Sequence, residues 1–171
     1  MEYSTLITTR RSVRSYQPDK SVPHEVLLRI VEAGRVAPSA ANRQPWKFLV
    51  ISDATAQAAL SESYQKEWFK NAPHVLVVVG QQSAAWQRND GYNAIETDAT
   101  IAMDHMILAA TNEGVGTCWI AAFDYPLVRS ALQLAEGEIV FAITPLGYPQ
   151  KDWAPSAKTT RKTIEEIVEF R

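Results

Sequence analysis

His74-Val75-Leu76-Val77-Val78-Val79 is the stretch on which the fold turns. Its side chains are apolar on both parities, and the four valines are β-branched. A strand with one wet face alternates polar and apolar residues, so one that is apolar throughout must be covered on both sides. The stretch therefore predicts a central, doubly buried strand. Trp46–Ile51 and Ile139–Leu146 are short apolar runs of the same kind and predict two further strands. Between them the period changes. Ser21 to Ala37 reads as a helix, with Ser21 as cap, Pro23 in the first turn, an apolar stripe of Val26, Leu27, Ile30 and Val31, and Pro38 as its end. Ser52 or Asp53 caps a helix expected to reach Phe69. Asn93 to Asn112 reads as a long helix, apolar on most sides, that runs through a core and stops at Gly114. Val115 to Phe123 reads as extended and Pro126 to Leu134 as a short helix. Thr163-Ile164-Glu165-Glu166 is a capping box that should open a last helix, with Ile164, Ile167 and Val168 on its apolar side. Helices and strands mix without strict alternation, which favours an α+β sheet protein over a doubly wound one.

The 171 residues suit a single domain spanning 1–171. The net charge is only -2, but it is unevenly spread. Residues 1–47 hold eight Lys/Arg against four Asp/Glu, residues 48–150 four against eleven, and residues 151–171 five against four. Both ends are basic relative to an acidic middle. With a pI near 5.9, a nucleic-acid partner is not expected, whereas a local anion site is. The lone Cys118 excludes an intrachain disulfide framework and a multi-cysteine metal site. His24, His74 and His105 lack ligand spacing, so no metal is expected. Glu96 and Asp98 stand two apart, on different helical faces, and do not form an acid–base pair. No leader peptide and no membrane-spanning run is seen, and a cytoplasmic location is expected.

Four segments could carry chemistry. Arg10-Arg11-Ser12-Val13-Arg14 sets three permanently charged forks and a hydroxyl within five residues, a donor set that fits phosphate oxygens. Its plainer reading is a solvated basic loop. Pro38-Ser39-Ala40-Ala41-Asn42-Arg43-Gln44-Pro45-Trp46 joins small residues and two amides, which would let a flat heterocycle approach the backbone; otherwise it is a polar loop. Glu113 to Ala122 (EGVGTCWIAA) has two glycines but places them after a helix and before an extended segment, the reverse of a dinucleotide fingerprint. Leu146-Gly147-Tyr148-Pro149 is followed by Lys151, Lys158, Arg161 and Lys162, a basic tail that either is solvated or shares the anion of the first cluster.

Taken together and in this order, RRSVRSY, PSAANRQPWKF, GVGTCWI and PLGYP resemble the nitroreductase family of FMN-dependent oxidoreductases across nearly the whole chain. The resemblance implies a helix-flanked, mainly antiparallel sheet in an intertwined homodimer, with FMN at the subunit interface. It implies that Arg10, Ser12 and Arg161 bind the phosphate, with Arg11 in the same cluster and Lys158 assisting. Arg14 would face the N1–C2=O side of the flavin, where a cation makes the ring easier to reduce. Pro38, Ser39, Ala40, Asn42 and Gln44 would surround the ring and ribityl chain, partly for the other subunit's flavin. Trp119, Ile120 and Ala121 would lie beside N5, one backbone amide pointing at it. No side chain is expected to act as a catalytic nucleophile, acid or base. NADH or NADPH would reduce the flavin, and a nitroaromatic, quinone or other small acceptor would reoxidise it, in ping-pong order. Ala121-Ala122 stand where many relatives carry glycine, and the stretch between Ile51 and Asn93 is short, so no substrate-pocket residues follow from the family. Trp68, Phe69 and Trp86 could line that pocket, but each reads better as a core or interface packing residue. The rival readings are reductive dehalogenation, oxygen-dependent flavin breakdown, a flavin-binding redox sensor or storage protein, and an anion-binding module without flavin.

Overall fold

The computed structural model describes residues 1–154 and 159–171. In chain order its elements are α1 (Tyr3–Thr9), α2 (His24–Arg35), β1 (Trp46–Ile51), α3 (Ala54–Ser61), α4 (Glu67–Lys70), β2 (His74–Gln81), α5 (Ile95–Asn112), α6 (Tyr125–Ala131) and β3 (Glu138–Leu146). The strands form one antiparallel sheet in the order β1-β2-β3. β1 runs from Trp46 opposite Gly80 to Ile51 opposite Val75; β3 pairs Leu146 with His74 and Glu138 with Gln81.

The unbroken apolar character of β2 has a direct cause. Leu76 and Val78 pack against Val26, Leu27 and Ile30 of α2 and Met103, Met106 and Ile107 of α5. Val75, Val77 and Val79 point the other way, onto Leu60, Phe69 and Val128 of α3, α4 and α6. Each such side chain contributes about 1.5–3 kcal/mol of gross stabilisation. The α2–α5 pair is close because Gly34 has no side chain: a Cβ there would lie 2.7 Å from Met106 Sδ. The expected helix-flanked antiparallel sheet is therefore what the chain forms.

Local expectations fail where long-range contacts compete. Ser21 does not cap α2. Its hydroxyl lies 3.1 Å from His74 Nε2, and Pro23 takes the cap position. The helix after Asp53 is capped as expected, Asp53 accepting from the Ala56 amide, but it breaks after Ser61. Leu60 and Phe69 both enter the same core, and one straight helix could not turn both inward. Val115 to Phe123 makes single bridges at Gly116, Thr117 and Ile120 and no strand of its own. α5 is not enclosed among the described residues: Thr100, Ile101, Asp104 and His105 line an open cleft of about 480 Å³ with Trp119. The last helix stops at one turn. Glu166 accepts from the Thr163 amide at 2.7 Å, yet Ile164 and Ile167 stay 63% and 62% exposed, so no apolar contact extends it. No helix among the described residues is long and apolar enough to cross a membrane.

Candidate functional site

Three of the four marked segments meet at one backbone junction. α1 ends at Thr9, and the chain then runs extended. Val13 donates its amide to Thr117 at 2.8 Å, and Gly116 donates to Gly147 at 2.8 Å. Gln17 donates to Tyr148 at 2.9 Å, and the Gln150 side chain reaches Tyr16 O at 2.8 Å. Val13 and Tyr16 are buried here, while Arg14 stays exposed and Ser12 half-buried. The glycines are needed for the close approach. A Cβ on Gly116 would lie 2.9 Å from Val13 Cβ, and one on Gly147 2.7 Å from Pro73 Cδ.

The junction collects positive charge. Six ion pairs hold Arg29, Arg35, Lys47, Lys70, Arg88 and Arg171, but none involves Arg10, Arg11 or Arg14 among the described residues. Cys118 reports the focus of that charge. Burial pushes its thiol pKa up, while the Arg14 guanidinium, the Ser12 hydroxyl and Arg10 lie near enough to oppose the rise. Arg14 extends over the Trp68 ring, 6.0 Å from its centre, and Trp68 in turn packs against Tyr16 and Tyr64. Trp68 is thus a support for Arg14 as well as a packing residue. Donors that form no ion pair among the described residues suit an anion better than a metal ion.

Not every expected ligand faces this focus. Arg11 turns back to the end of α1, donating to Thr8 O at 2.7 Å and Arg10 O at 2.9 Å. Those carbonyls lack helical partners, and a guanidinium is a natural cap for them. Ile120 turns inward: its amide donates to Ile143 O at 3.0 Å and its side chain is core. In an extended segment successive amides point to opposite sides. Trp119 and Ala121 are left on the open side, with Trp119 39% exposed on the cleft beside α5. Arg161 is exposed, and among the described residues its side chain donates to Thr160 O at 3.0 Å and to no residue of the first cluster. Lys158 lies outside the described residues.

The fourth segment sits apart. Ala40 and Asn42 belong to a short 3-10 turn (Ala40–Asn42) with Ser39 as its N-cap, and Pro38 and Gln44 flank it in the loop leading into β1. Its backbone is strained: Ala41, Asn42 and Gln44 have φ of 51°, 52° and 48°. Besides the bonds of the turn itself, two side-chain oxygens accept from its backbone: Ser39 Oγ from the Gln44 amide and Asp98 Oδ1 from the Ala40 amide, both at 2.9 Å. Trp46 pairs with Gly80, whereas the arginine junction adjoins Leu146, which pairs with His74. At about 3.3 Å per residue along β2, the strand ends to which loop and junction attach are about 20 Å apart, at opposite ends of the sheet. Sequence reasoning missed Asp98, although a carboxylate on the apolar stripe of Ile95, Ala99, Ala102 and Met106 was a usable signal.

The description "Nitroreductase family" attaches to the family model that matches residues 7–68 and 55–148, a region that takes in three of the four segments whole and most of the last. A protein of Archaeoglobus fulgidus whose name pairs NADH dehydrogenase with NAD(P)H nitroreductase is 30% identical over 152 residues, covering 86% of this chain and 85% of that one. An iodotyrosine deiodinase of Haliscomenobacter hydrossis is 26% identical over 179 residues, covering 86% and 79%. A solved structure described as an FMN-dependent nitroreductase, from Clostridium difficile R20291, superposes with a TM-score of 0.80 at 27% identity and covers 98% of each chain. With the sheet, the motif junction and the match over most of its length in agreement, the chain belongs to the nitroreductase family and is an oxidoreductase.

Proposed function

We propose that the protein is an FMN-dependent reductase that passes hydride from NADH or NADPH to a small acceptor such as a nitroaromatic or a quinone. The observation that carries this reading is the junction itself. Arg10, Ser12 and Arg14 all lie near enough to Cys118 to act on its thiol, and no ion pair holds either arginine among the described residues. That donor set fits a phosphate monoester with an electron-accepting ring beyond it. When bound, FMN supplies the two-electron chemistry. Arg10 and Ser12 would hold its phosphate, and Arg14, steadied by Trp68, would favour negative charge on the ring. The outward amides at Trp119 and Ala121 are the donors available to N5. The Trp119 side chain and α5 wall an open cleft large enough to receive a planar guest. None of these residues needs to act as nucleophile or general base.

The attachment of the 38–44 loop and the arginine junction to opposite ends of the sheet, about 20 Å apart along β2, supports a homodimer. The loop would complete the site of the other subunit, and Arg161 would reach across in the same way. Both chain ends suit such an exchange: Tyr3, Ile7, Ile164, Ile167 and Phe170 are exposed apolar side chains on terminal arms. The likeness to an iodotyrosine deiodinase supports reductive dehalogenation as a second reading, because the same reduced ring could serve a halophenol.

The test is anaerobic titration of the purified, FMN-loaded protein. Bleaching by NADH or NADPH, followed by recovery of colour on adding a nitroaromatic, is the expected result. Release of halide from an iodophenol in place of nitro reduction selects the second reading. Bound flavin that neither nicotinamide bleaches points to a sensor. Protein that stays colourless after incubation with FMN removes the flavin reading altogether.

A further inference from the structure

Asp98 stands in the first two turns of α5, on its buried face, and is only 1% exposed. Such burial disfavours a charge unless it is paired and hydrogen-bonded. Asp98 has little of either. Oδ1 accepts the Ala40 amide at 2.9 Å, and Oδ2 has no hydrogen-bond partner among the described residues. The helix N-terminus gives some relief, since the first-turn amides favour an anion. The Asn93 side chain already accepts from the Ile95 amide, so Asp98 is not needed as a cap. What the carboxylate does is grip a loop 58 residues away in sequence.

That loop holds three non-glycine residues in left-handed backbone, at Ala41, Asn42 and Gln44. A left-handed L-residue costs about 1–2 kcal/mol. A strained loop keeps its shape only when its surroundings over-determine it. The clamp at one end is internal, from Ser39 Oγ to the Gln44 amide. The clamp to the body of the protein is Asp98.

We propose that Asp98 is a positioning residue: by accepting the Ala40 amide it sets the 38–44 loop in the shape that receives the flavin. This rests on the FMN reading above. A buried group poorly satisfied for stability, and bonded only to a strained loop, is arranged for that loop's function. The carboxylate acts through the backbone and does not itself touch the cofactor.

The experiment compares FMN dissociation constants, from flavin fluorescence titration of the full-length protein, for wild type, Asp98→Ala, Asp98→Asn and the double variant Asp98→Ala/Ala41→Gly. Asp98→Ala leaves the Ala40 amide unpaired and should weaken FMN binding by about tenfold or more. Asp98→Asn keeps an oxygen acceptor and should restore most of the affinity. Glycine takes left-handed backbone freely, so Ala41→Gly should recover part of the loss in the Asp98→Ala background. Should Asp98→Ala fail to fold, Asp98→Asn with and without Ala41→Gly carries the comparison: near wild-type affinity supports the clamp, and a tenfold loss that glycine leaves unchanged overturns it. Wild-type affinity in Asp98→Ala overturns the proposal and leaves the FMN reading standing. So does equal loss in Asp98→Ala and Asp98→Asn with no rescue by glycine. A wild-type protein that binds no FMN at all removes the reading beneath it instead.

Discussion

Replacing Gly116 with alanine perturbs the motif junction at one atom. The new Cβ would lie 2.9 Å from both Cβ and Cγ2 of Val13 and 3.0 Å from its Cγ1. Val13 has nowhere to go: it is buried, and its amide is held by Thr117 O at 2.8 Å. The chain must instead shift at the Gly116–Gly147 bridge or at the Arg10–Arg14 segment. Overpacking of this kind costs about 1–3 kcal/mol. For a chain of this size each kcal/mol lowers Tm by about 2–4 °C, so the melting point should fall by roughly 2–12 °C. The displaced segment carries Ser12 and Arg14, so FMN retention should fall as well. Gly114→Ala is the control. Gly114 has φ of +73° and nothing within 4 Å of a built Cβ, so alanine there strains the backbone by about 1–2 kcal/mol without touching Val13. Comparable Tm loss with unchanged FMN retention is expected for Gly114→Ala. Adding Val13→Ala to Gly116→Ala should return part of the stability, since two of the three close atoms are methyls. Thermal melts and flavin titration on these variants decide the matter. A Gly116→Ala protein that melts with the wild type and holds FMN as tightly would refute the view that this contact pins the arginine segment.

Further outcomes follow from other parts of the molecule. Arg14→Ala should make the bound flavin harder to reduce, moving its midpoint potential negative more than it weakens FMN binding; spectroelectrochemistry reads both, and an unchanged potential removes Arg14 from the ring. His74 accepts the Val22 amide on Nε2 at 3.1 Å, and its Nδ1 lies 2.6 Å from Ser52 Oγ. Burial holds its pKa below the usual histidine value. The unfolded chain therefore takes up the proton first, and the stability present above about pH 6.5 declines as pH falls toward the lower folded pKa. Urea melts between pH 7.5 and 5 should show a proton-linked slope that His74→Gln lacks; parallel slopes in the two proteins contradict it. Removing residues 160–171 should weaken FMN retention and subunit association together, with retention more salt-sensitive in the intact protein. Sedimentation of a truncated protein that remains dimeric and yellow would show that the arm does neither.

The elements that short-range chemistry specifies were legible in the chain. β1 falls on Trp46–Ile51, as its apolar run foretells, and Asp53 caps α3 through its own side chain. The doubly apolar run at His74 announces a two-sided core whatever the partners turn out to be. Arg10, Ser12 and Arg14 are conspicuous by composition, although composition leaves a solvated basic loop and an anion site equally open. Ordering among distant segments was not available in the same way. Periodicity says which face a helix buries but not how far the chain can continue before Leu60 and Phe69 must share a core. It cannot tell that Arg11 caps α1 while Arg14 lies over Trp68, because neighbours in an extended segment diverge only once that segment is docked. Nor does it place the 38–44 loop at the far end of β2 from the arginines. That separation comes from strand register, and register is set by contacts between residues far apart in sequence. Local sterics and capping act within a few residues and leave their signature in the sequence; the meeting of loop and carboxylate at one end of the sheet, and of the junction segments at the other, is fixed only when the sheet closes.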